Sequence, residues 1–403
     1  MAFSTGAVVA NIYYAQPLEE TLARAFHAST GAIGLLITLT QLGYAAGLAT
    51  LVPLGDLVER RRLLMVLLGG CVLGLTLMAT APTLAVICSA AVLVGLTSVA
   101  VQVIVPFAAQ LAREGEQGRV VGSVMSGLLI GILLSRTVSG VLAGAIGWRW
   151  VFGIAAIFTA LVAVVLWREL PAHQPTTRLR YPALLASVVR LVREESVLRY
   201  RMACGALAMA SFSALWSTIG FLLARPPYRW TEVGIGLFAL LGVAGAMGAR
   251  FAGRLADRGH ARWASLGFAA LASVSFLPAA FGARSVIALA VGVVLLDLGI
   301  QGLQIINQSL IYPLRADARS RVNTAYMTTY FVGGSLGSAV ATVVYGRLGW
   351  VGVCWLGAVF PALACLVMVF EHLIRRRRSG SGTAEDRKSG RSAAGQACEP
   401  AGR

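Results

Sequence analysis

The chain has 403 residues, of which 57% are hydrophobic and only 13% are charged, and its mean hydropathy is +0.76. A soluble fold of this length cannot bury so much apolar surface, so the composition excludes a soluble globular protein and predicts one embedded in lipid. The formal net charge of +17 is more typical of basic loops at a membrane surface than of nucleic-acid binding, and we expect no nucleic-acid partner.

Apolar stretches along the chain predict twelve membrane-spanning helices, because about 20 such residues cross a hydrocarbon core about 30 Å thick. Strands or irregular backbone facing lipid would leave amides unpaired, so we expect an all-α polytopic membrane protein. The first six spans are predicted at 2–21, 31–54, 62–80, 84–109, 119–144 and 150–167. The other six are predicted at 201–223, 232–251, 263–281, 286–311, 322–346 and 351–373.

The placement of basic residues predicts the orientation. One side holds both termini and 27 of the 34 Lys and Arg residues, the opposite side holds six, and Arg136 lies within a span. The loops on the basic side are 55–62, 110–119, 168–201, 250–262 and 312–321. Loops that face the cytoplasm are enriched in Lys and Arg, so both termini are predicted to be cytoplasmic.

Two polar segments divide the chain into four regions. Residues 1–167 and 201–374 are each predicted to form a six-helix bundle. The cytoplasmic linker, 168–200, has apolar and basic positions after Pro182 that suit a helix at the membrane interface. The basic tail, 375–403, cannot bury enough surface to fold alone and is predicted to be disordered, with its arginines against anionic lipid headgroups.

A charged turn follows span two and appears again after span eight, as Gly55-Asp56-Leu57-Val58-Glu59-Arg60 and Gly253-Arg254-Leu255-Ala256-Asp257-Arg258. Glycine allows a sharp exit from a helix, and the acidic groups can pair with arginines or with helix N-termini. We predict that a cytoplasmic gate is formed by Gly55, Asp56, Glu59, Arg60, Gly253, Asp257 and Arg258. The alternative is a solvated turn without a gating role.

A second repeat begins at the fifth span. Arg119 matches Arg321, Gly131 matches Gly333, and Gly147-Trp148 matches Gly349-Trp350, all at an offset of 202 residues. This constant offset predicts two six-helix bundles related by a parallel repeat, as expected of transporters that rock two bundles around a central site.

With these features the chain resembles the major facilitator superfamily from about residue 5 to 374, and within it the bacterial drug:proton antiporters, also described as arabinose-efflux permeases. The supporting stretches are Asn11-Ile-Tyr-Tyr-Ala-Gln-Pro-Leu18, Leu296-Asp-Leu-Gly-Ile-Gln301, Asn307-Gln308 and Asn323 to Gly334. The resemblance implies that the acidic turn helps to close the cytoplasmic side. Two positions depart from the antiporter pattern: Ala91 stands where that group has an arginine, and Arg136 stands where it has a proline.

Charges within spans are functional candidates, because an unpaired charge in the membrane is costly. Asp297 lies about 11 residues into span ten, near mid-depth, and is the only acidic residue so placed. Gln301, Gln304 and Gln308 share its helical face and would form a polar stripe towards a central cavity. We predict that Asp297 is the proton-coupling or substrate-binding acid, with a structural hydrogen bond between helices as the alternative.

Arg136 is the one comparable cation; it would pair with Asp297 across the bundles or extend towards the outer surface. Further cavity candidates are the polar and aromatic residues Asn11, Tyr14, Gln16, Gln102, Trp216, Tyr326 and Tyr330, for each of which helix packing is the alternative. The six cysteines and four histidines lack metal-ligand spacing, and no phosphate-binding loop is present, so we expect no metal, no cofactor and no enzymatic activity.

The sequence therefore predicts a secondary transporter of a bacterial inner membrane that exports a small organic compound by proton antiport and acts as a monomer. An importer of an organic acid or sugar, with Arg136 binding the anion, is the alternative. A membrane sensor or scaffold that does not transport is a more remote one.

Overall fold

The computed structural model describes residues 1–111, 116–171, 180–315 and 318–396. Within these ranges the regular secondary structure is helical. The α-helices are α1 Ala2–Ala10, α2 Glu19–Ala25, α3 Thr30–Thr50, α4 Arg60–Thr80, α5 Leu84–Ser98, α6 Ala100–Leu111, α7 Gln117–Ile146, α8 Trp148–Glu169, α9 Tyr181–Glu194, α10 Ser196–Trp216, α11 Ile219–Ala224, α12 Glu232–Phe238, α13 Val243–Asp257, α14 Ala261–Val274, α15 Phe276–Ala280, α16 Val286–Ile311 and α17 Arg319–Gln396. Short 3-10 turns lie at Gln16–Leu18, Val52–Asp56, Ala239–Gly242, Phe281–Ala283 and Tyr312–Leu314.

Ten helical segments of the described chain are long and apolar enough to cross a membrane. The last of them, Arg319–Leu373, has 55 residues, far more than one crossing needs, and its helix breaks at Gly349. It therefore holds both of the last two predicted spans. The first predicted span is not one helix: α1 ends at Ala10, and the chain turns through a 3-10 segment containing Pro17, which has no N–H to continue the ladder. The all-α membrane architecture is confirmed, but the twelve spans are not all resolved as separate helices.

Hydroxyl side chains start three of these helices. Ser29, Thr83 and Ser285 stand just before α3, α5 and α16, and each side-chain oxygen accepts a hydrogen bond from the backbone N–H three residues on. Such caps satisfy an N–H group that the helix itself leaves unpaired. We call the side of these three caps the outer side and the side of the basic loops the inner side, following the predicted orientation.

The two halves repeat their packing. In the first half α1 packs on α7, α3 on α5 and α4 on α8. In the second half α10 packs on α17, α13 on α16 and α14 on α17. These are the same pairs of spans, first with fifth, second with fourth and third with sixth, so the sequence repeat is also a repeat of helix contacts.

Glycines that are 202 residues apart have the same structural role. Gly147 and Gly349 have φ values of 92° and 67°, a backbone conformation that favours glycine, and each separates one span from the next. A Cβ on Gly131 would lie 2.3 Å from the backbone oxygen of Gly6, and one on Gly333 would lie 2.2 Å from that of Ala206. In both halves this glycine lets the fifth helix touch the first, as small residues do at membrane helix crossings.

The two halves meet on the outer side. Thr342 of α17 packs against Gly34 of α3, where a Cβ would lie 2.3 Å away, and the Thr137 hydroxyl of α7 donates a 2.8 Å hydrogen bond to the Gly236 carbonyl of α12. Towards the inner side, Met247 of α13 is 66% exposed, and a Cβ on Gly122 of α7 would meet no atom within 4 Å. The described contacts between α7 and span eight thus close the outer half of the molecule.

The linker helix α9 contacts both halves on the inner side. Tyr181 at its start donates a 2.8 Å hydrogen bond to the Thr50 carbonyl, while Glu194 and Glu195 at its end pair with Arg315 at 3.1 and 2.9 Å. The sequence predicts a disordered tail from residue 375, whereas the backbone is helical as far as Gln396. Residues 397–403 lie outside the described part of the chain, and the four-region division stays a prediction.

Candidate functional site

The two charged residues singled out within spans come from different halves and approach the same tryptophan. Asp297 of α16 and Arg136 of α7 are each 3% exposed. The Trp216 indole N–H donates a 3.2 Å hydrogen bond to Asp297 Oδ1, and the Arg136 guanidinium carbon lies 4.2 Å from the centroid of the Trp216 ring. Among the described contacts Asp297 and Arg136 form no ion pair within 4.0 Å; Asp297 meets the N–H edge of the Trp216 indole, and Arg136 lies over the face of the same ring.

Arg136 is surrounded by aromatic rings and one amide. Its Nε donates a 2.6 Å hydrogen bond to Gln16 Oε1, and its guanidinium carbon lies 5.0 Å from the Tyr13 ring and 5.8 Å from the Phe212 ring. Ring faces attract a cation and offset part of the cost of its burial. Nη2 has no hydrogen-bond partner in the described part of the chain. A cavity of about 10 Å³, the size of one water molecule, adjoins the guanidinium.

Small residues bring the surrounding helices into position. Ser139 of α7 donates a 2.6 Å hydrogen bond to the Tyr14 carbonyl, which holds the chain next to Arg136. In the second half a Cβ on Gly242 would lie 3.0 Å from Asp297 Oδ2, and one on Gly245 would lie 2.8 Å from Gln301 Cγ. Span eight can therefore approach the carboxylate only because glycines stand at these positions.

The predicted polar stripe of α16 faces the tyrosines of α17. Gln304 Oε1 accepts a 3.3 Å hydrogen bond from the Tyr330 hydroxyl. Gln301 and Gln308 are half-buried. The fully buried amide is Asn307, whose Nδ2 donates to the Tyr326 hydroxyl at 3.4 Å and whose Oδ1 has no described partner. Gln304 of the stripe thus contacts one predicted tyrosine, and Asn307, which the predicted stripe did not include, contacts the other.

The remaining first-half candidates do not gather around Arg136. The Asn11 Nδ2 contacts Cys71 Sγ and Thr159 Oγ1, both at 3.2 Å, inside the first bundle. Tyr14 lines a crevice of about 690 Å³ between α1, α7 and α8. Gln102 donates a 3.3 Å hydrogen bond to the Tyr44 hydroxyl, and the Tyr44 ring lies 4.4 Å from that of Phe331 in the second half. Gln16 and Trp216 are therefore the predicted cavity residues that contact Arg136.

The first copy of the repeated turn is anchored within its own half. The Arg60 Nε donates a 3.0 Å hydrogen bond to the Gly55 carbonyl, and its Nη1 donates to Gln110 of α6. Arg62 pairs with Glu59 at 2.8 Å. In the second copy α13 ends at Asp257, followed by Arg258, and a Cβ on Gly253 would meet no atom within 4 Å. The side chain of Asp56 lies outside the described residues.

Sequence reasoning gave no role to two groups of buried charges. Arg201 and Glu371 form an ion pair with side chains 5% and 6% exposed, beside a cavity of about 260 Å³ on the inner side. Both lie at predicted span ends, where charge is ordinary, so position alone did not distinguish them. Glu19 is 1% exposed near the outer side. One signal of this was available in the sequence: Glu19 lies three residues after Gln16 and so shares its helical face.

Within the described residues no group of three or more His, Cys, Asp or Glu side chains is arranged to bind a metal ion. The sequence profile described as Major Facilitator Superfamily matches residues 1–338. The chain belongs to this superfamily. The predicted family and fold class are therefore confirmed, and the protein is a membrane transporter rather than an enzyme.

Similar proteins agree with this assignment. The chain is 46% identical over 367 residues to the uncharacterized transporter YgaY of Escherichia coli O157:H7, covering 91% of this chain and 93% of that protein. It is 33% identical over 355 residues to the probable transporter SCO4007 of Streptomyces coelicolor, covering 88% of this chain and 82% of that protein. A crystal structure of a bacterial homolog to the human lysosomal transporter Spinster, in an inward-facing and occupied conformation, shares the fold with a TM-score of 0.75 at 13% identity, covering 93% of this chain and 95% of the other.

Proposed function

We propose that this transporter exports a small organic compound in exchange for protons, by alternating access between its two halves. The observation that carries the proposal is the Arg136–Trp216–Asp297 arrangement, in which opposite charges from the two halves are buried against one indole ring. Ionisable residues placed so deep in a membrane protein characterise substrate and proton pathways.

Asp297 is the proposed coupling acid. When it is ionised, the Trp216 N–H and the nearby charge of Arg136 stabilise the carboxylate. A proton on Asp297 removes the charge that these groups stabilise, so protonation and the binding of a cationic or polar substrate at this place compete. Exchange follows because the site faces one side of the membrane when a proton is bound and the other side when substrate is bound.

The two sides of the molecule have complementary roles in this proposal. Thr137, Gly236, Gly34 and Thr342 close the outer side in the present conformation. In the opposite conformation the inner side must close, and the repeated turn, with Glu59 and Asp257 at equivalent positions, supplies acidic groups for that contact. Both termini then lie in the cytoplasm, the protein resides in a bacterial inner membrane, and each monomer carries one complete pathway.

Import of an organic acid is the second candidate function. The unpartnered Nη2 of buried Arg136, next to a cavity lined by Gln16 and Trp216, suits one oxygen of a carboxylate substrate. In that case Arg136 binds the substrate, and Asp297 carries the proton that enters with it.

Flux into inverted membrane vesicles distinguishes the two directions, with drugs, sugars and organic acids tested with and without a proton gradient. Export by antiport predicts accumulation that a protonophore abolishes, whereas import predicts uptake only in right-side-out vesicles. Asp297→Asn removes the titratable proton, so we expect accumulation to be lost while downhill exchange remains. Glu194→Gln, the same chemical change on the exposed linker helix, is the matched control. Full gradient-driven accumulation in the Asp297→Asn variant would exclude Asp297 as the coupling acid.

A further inference from the structure

A buried carboxyl group lies where the two halves meet on the outer side. Glu19 begins α2 and is 1% exposed, and neither of its carboxyl oxygens has a hydrogen-bond partner among the described residues. The next residue differs completely, because Glu20 pairs with Arg225 at 3.1 Å and with Arg24 at 3.7 Å. Two adjacent glutamates therefore have opposite surroundings, one paired and partly exposed, the other enclosed and unpaired.

The surroundings of Glu19 are apolar. Leu18, Leu22 and Phe221 are fully buried in the cluster around α2. The backbone of α11 lies directly against the carboxyl group, since a Cβ on Gly220 would be 3.3 Å from Glu19 Oε2. An ionised carboxylate without a donor or a cation is very costly in such a place. In the conformation described here, these surroundings therefore favour the neutral, proton-carrying form of Glu19.

The nearby cations have other partners. The charged and titratable groups around Glu19 are Glu20 and Arg24 on its own helix, Arg225 after α11, Glu232 on α12, Tyr345 on α17 and Arg136 of α7, reached through Gln16. Arg225 is bound by Glu20, and Arg136 is held by Gln16 and aromatic rings. Glu232 accepts a hydrogen bond from Thr21. Among the described residues no ion pair within 4.0 Å joins Glu19 to Arg24, Arg225 or Arg136, and the adjacent Glu20 has the same sign as an ionised Glu19.

The contacts around Glu19 join the two halves. Glu19, Glu20 and Thr21 belong to the first half, whereas Gly220, Arg225 and Glu232 belong to the second. Opening the outer side must separate α2 from α11 and α12, because these pairs cross between the halves. Water then reaches Glu19, and a solvated glutamate ionises with a pKa of about 4.3. A proton is thus released when the contact opens and is required again when it closes.

We propose that Glu19 is a proton-binding site between the halves, and that its protonation from the outside permits the outer side to close. Glu19 adds a second proton site to the proposed exchange at Asp297. Only its effect on transport depends on that proposed function. Linkage between one proton and closure means that the ratio of closed to open molecules changes up to tenfold per pH unit, in favour of the closed state at low pH.

The test measures the conformation itself, without substrate or gradient. Spin labels are placed at Pro82→Cys and Arg284→Cys, in exposed outer loops of the two halves, on a chain in which the six native cysteines are replaced. Their distance distribution in lipid nanodiscs, followed from about pH 4 to pH 9, gives the ratio of closed to open molecules. We expect that ratio to rise about tenfold per pH unit of acidification over part of this range in the unsubstituted protein.

Two variants isolate the acid. Glu19→Gln is neutral at every pH, so we expect the closed form at all pH values and the loss of at least half of the pH slope. Glu20→Gln, the matched control, breaks the pair with Arg225 and lowers the closed fraction at every pH but keeps the slope. If Glu19→Gln does not fold, Glu19→Leu repeats the measurement with an apolar side chain. The proposal would be overturned if the Glu19 variant kept more than half of the pH slope, or if the ratio of closed to open molecules did not depend on pH in the unsubstituted protein. Because this measurement involves no transport, its failure is distinct from failure of export.

Discussion

Two glycines of one helix are expected to respond in opposite ways to the same substitution. A Cβ on Gly131 of α7 would lie 2.3 Å from the oxygen, 2.4 Å from the Cα and 2.6 Å from the carbonyl carbon of Gly6, and all three atoms belong to backbone. A Cβ on Gly122, nine residues earlier, would meet no atom within 4 Å. Gly131→Ala must therefore push α1 away by about 1 Å to reach an ordinary contact of 3.4 Å, whereas Gly122→Ala displaces nothing.

The magnitudes follow from these distances. Forcing one extra carbon into a tight contact costs about 1 to 3 kcal/mol, and the shift of α1 places Gly131→Ala at the upper end of that range. Alanine in place of an unhindered helical glycine stabilises by up to about 1 kcal/mol. Thermal unfolding in one fixed detergent should therefore give a lower midpoint for Gly131→Ala and an equal or higher one for Gly122→Ala. Gly333→Ala, at the equivalent crossing of the second half, should resemble Gly131→Ala. Equal midpoints for the two α7 variants would refute the close α1–α7 crossing.

Three further predictions concern the buried charges. Trp216→Phe keeps a ring beside Arg136 but removes the N–H group that donates to Asp297. Since hydrogen bonds to charged groups contribute about 1.5 to 3 kcal/mol, we expect the pH profile of gradient-driven flux to shift. An unchanged profile would count against this hydrogen bond. In the import alternative, where Arg136 binds the substrate, Arg136→Lys keeps the charge but not the planar group, so it should lower substrate affinity in equilibrium binding about as much as Arg136→Met should. Arg201→Met removes this partner of the Glu371 charge. It should therefore lower the midpoint of thermal unfolding more than the double variant Arg201→Met with Glu371→Leu does, which a double-mutant cycle of unfolding midpoints would measure.

The fold could be predicted largely from the sequence because its signals are local. Apolar length predicts each span, and the offset of 202 residues predicts which helices occupy equivalent places, as the Gly131 and Gly333 crossings bear out. The first span was the exception. Residues 2–21 were expected to form one helix, because an apolar stretch alone does not indicate where the backbone turns. In the structure the chain turns through a segment that contains Pro17.

Contacts between the halves could not be predicted in the same way, because they depend on the conformation in which the two bundles meet. Asp297 stood out as a lone acid in an apolar run, but the sequence did not show that the Trp216 ring beside it also receives Arg136 from the other half. Glu19 was inconspicuous for the opposite reason. It adjoins Glu20 at the end of a predicted span, where acids are usually solvated, whereas in the structure α11 of the other half lies against its carboxyl group. Burial that one half imposes on the other is a property of a single conformation. A carboxyl group buried in this way is therefore suited to sense which side of the transporter is open.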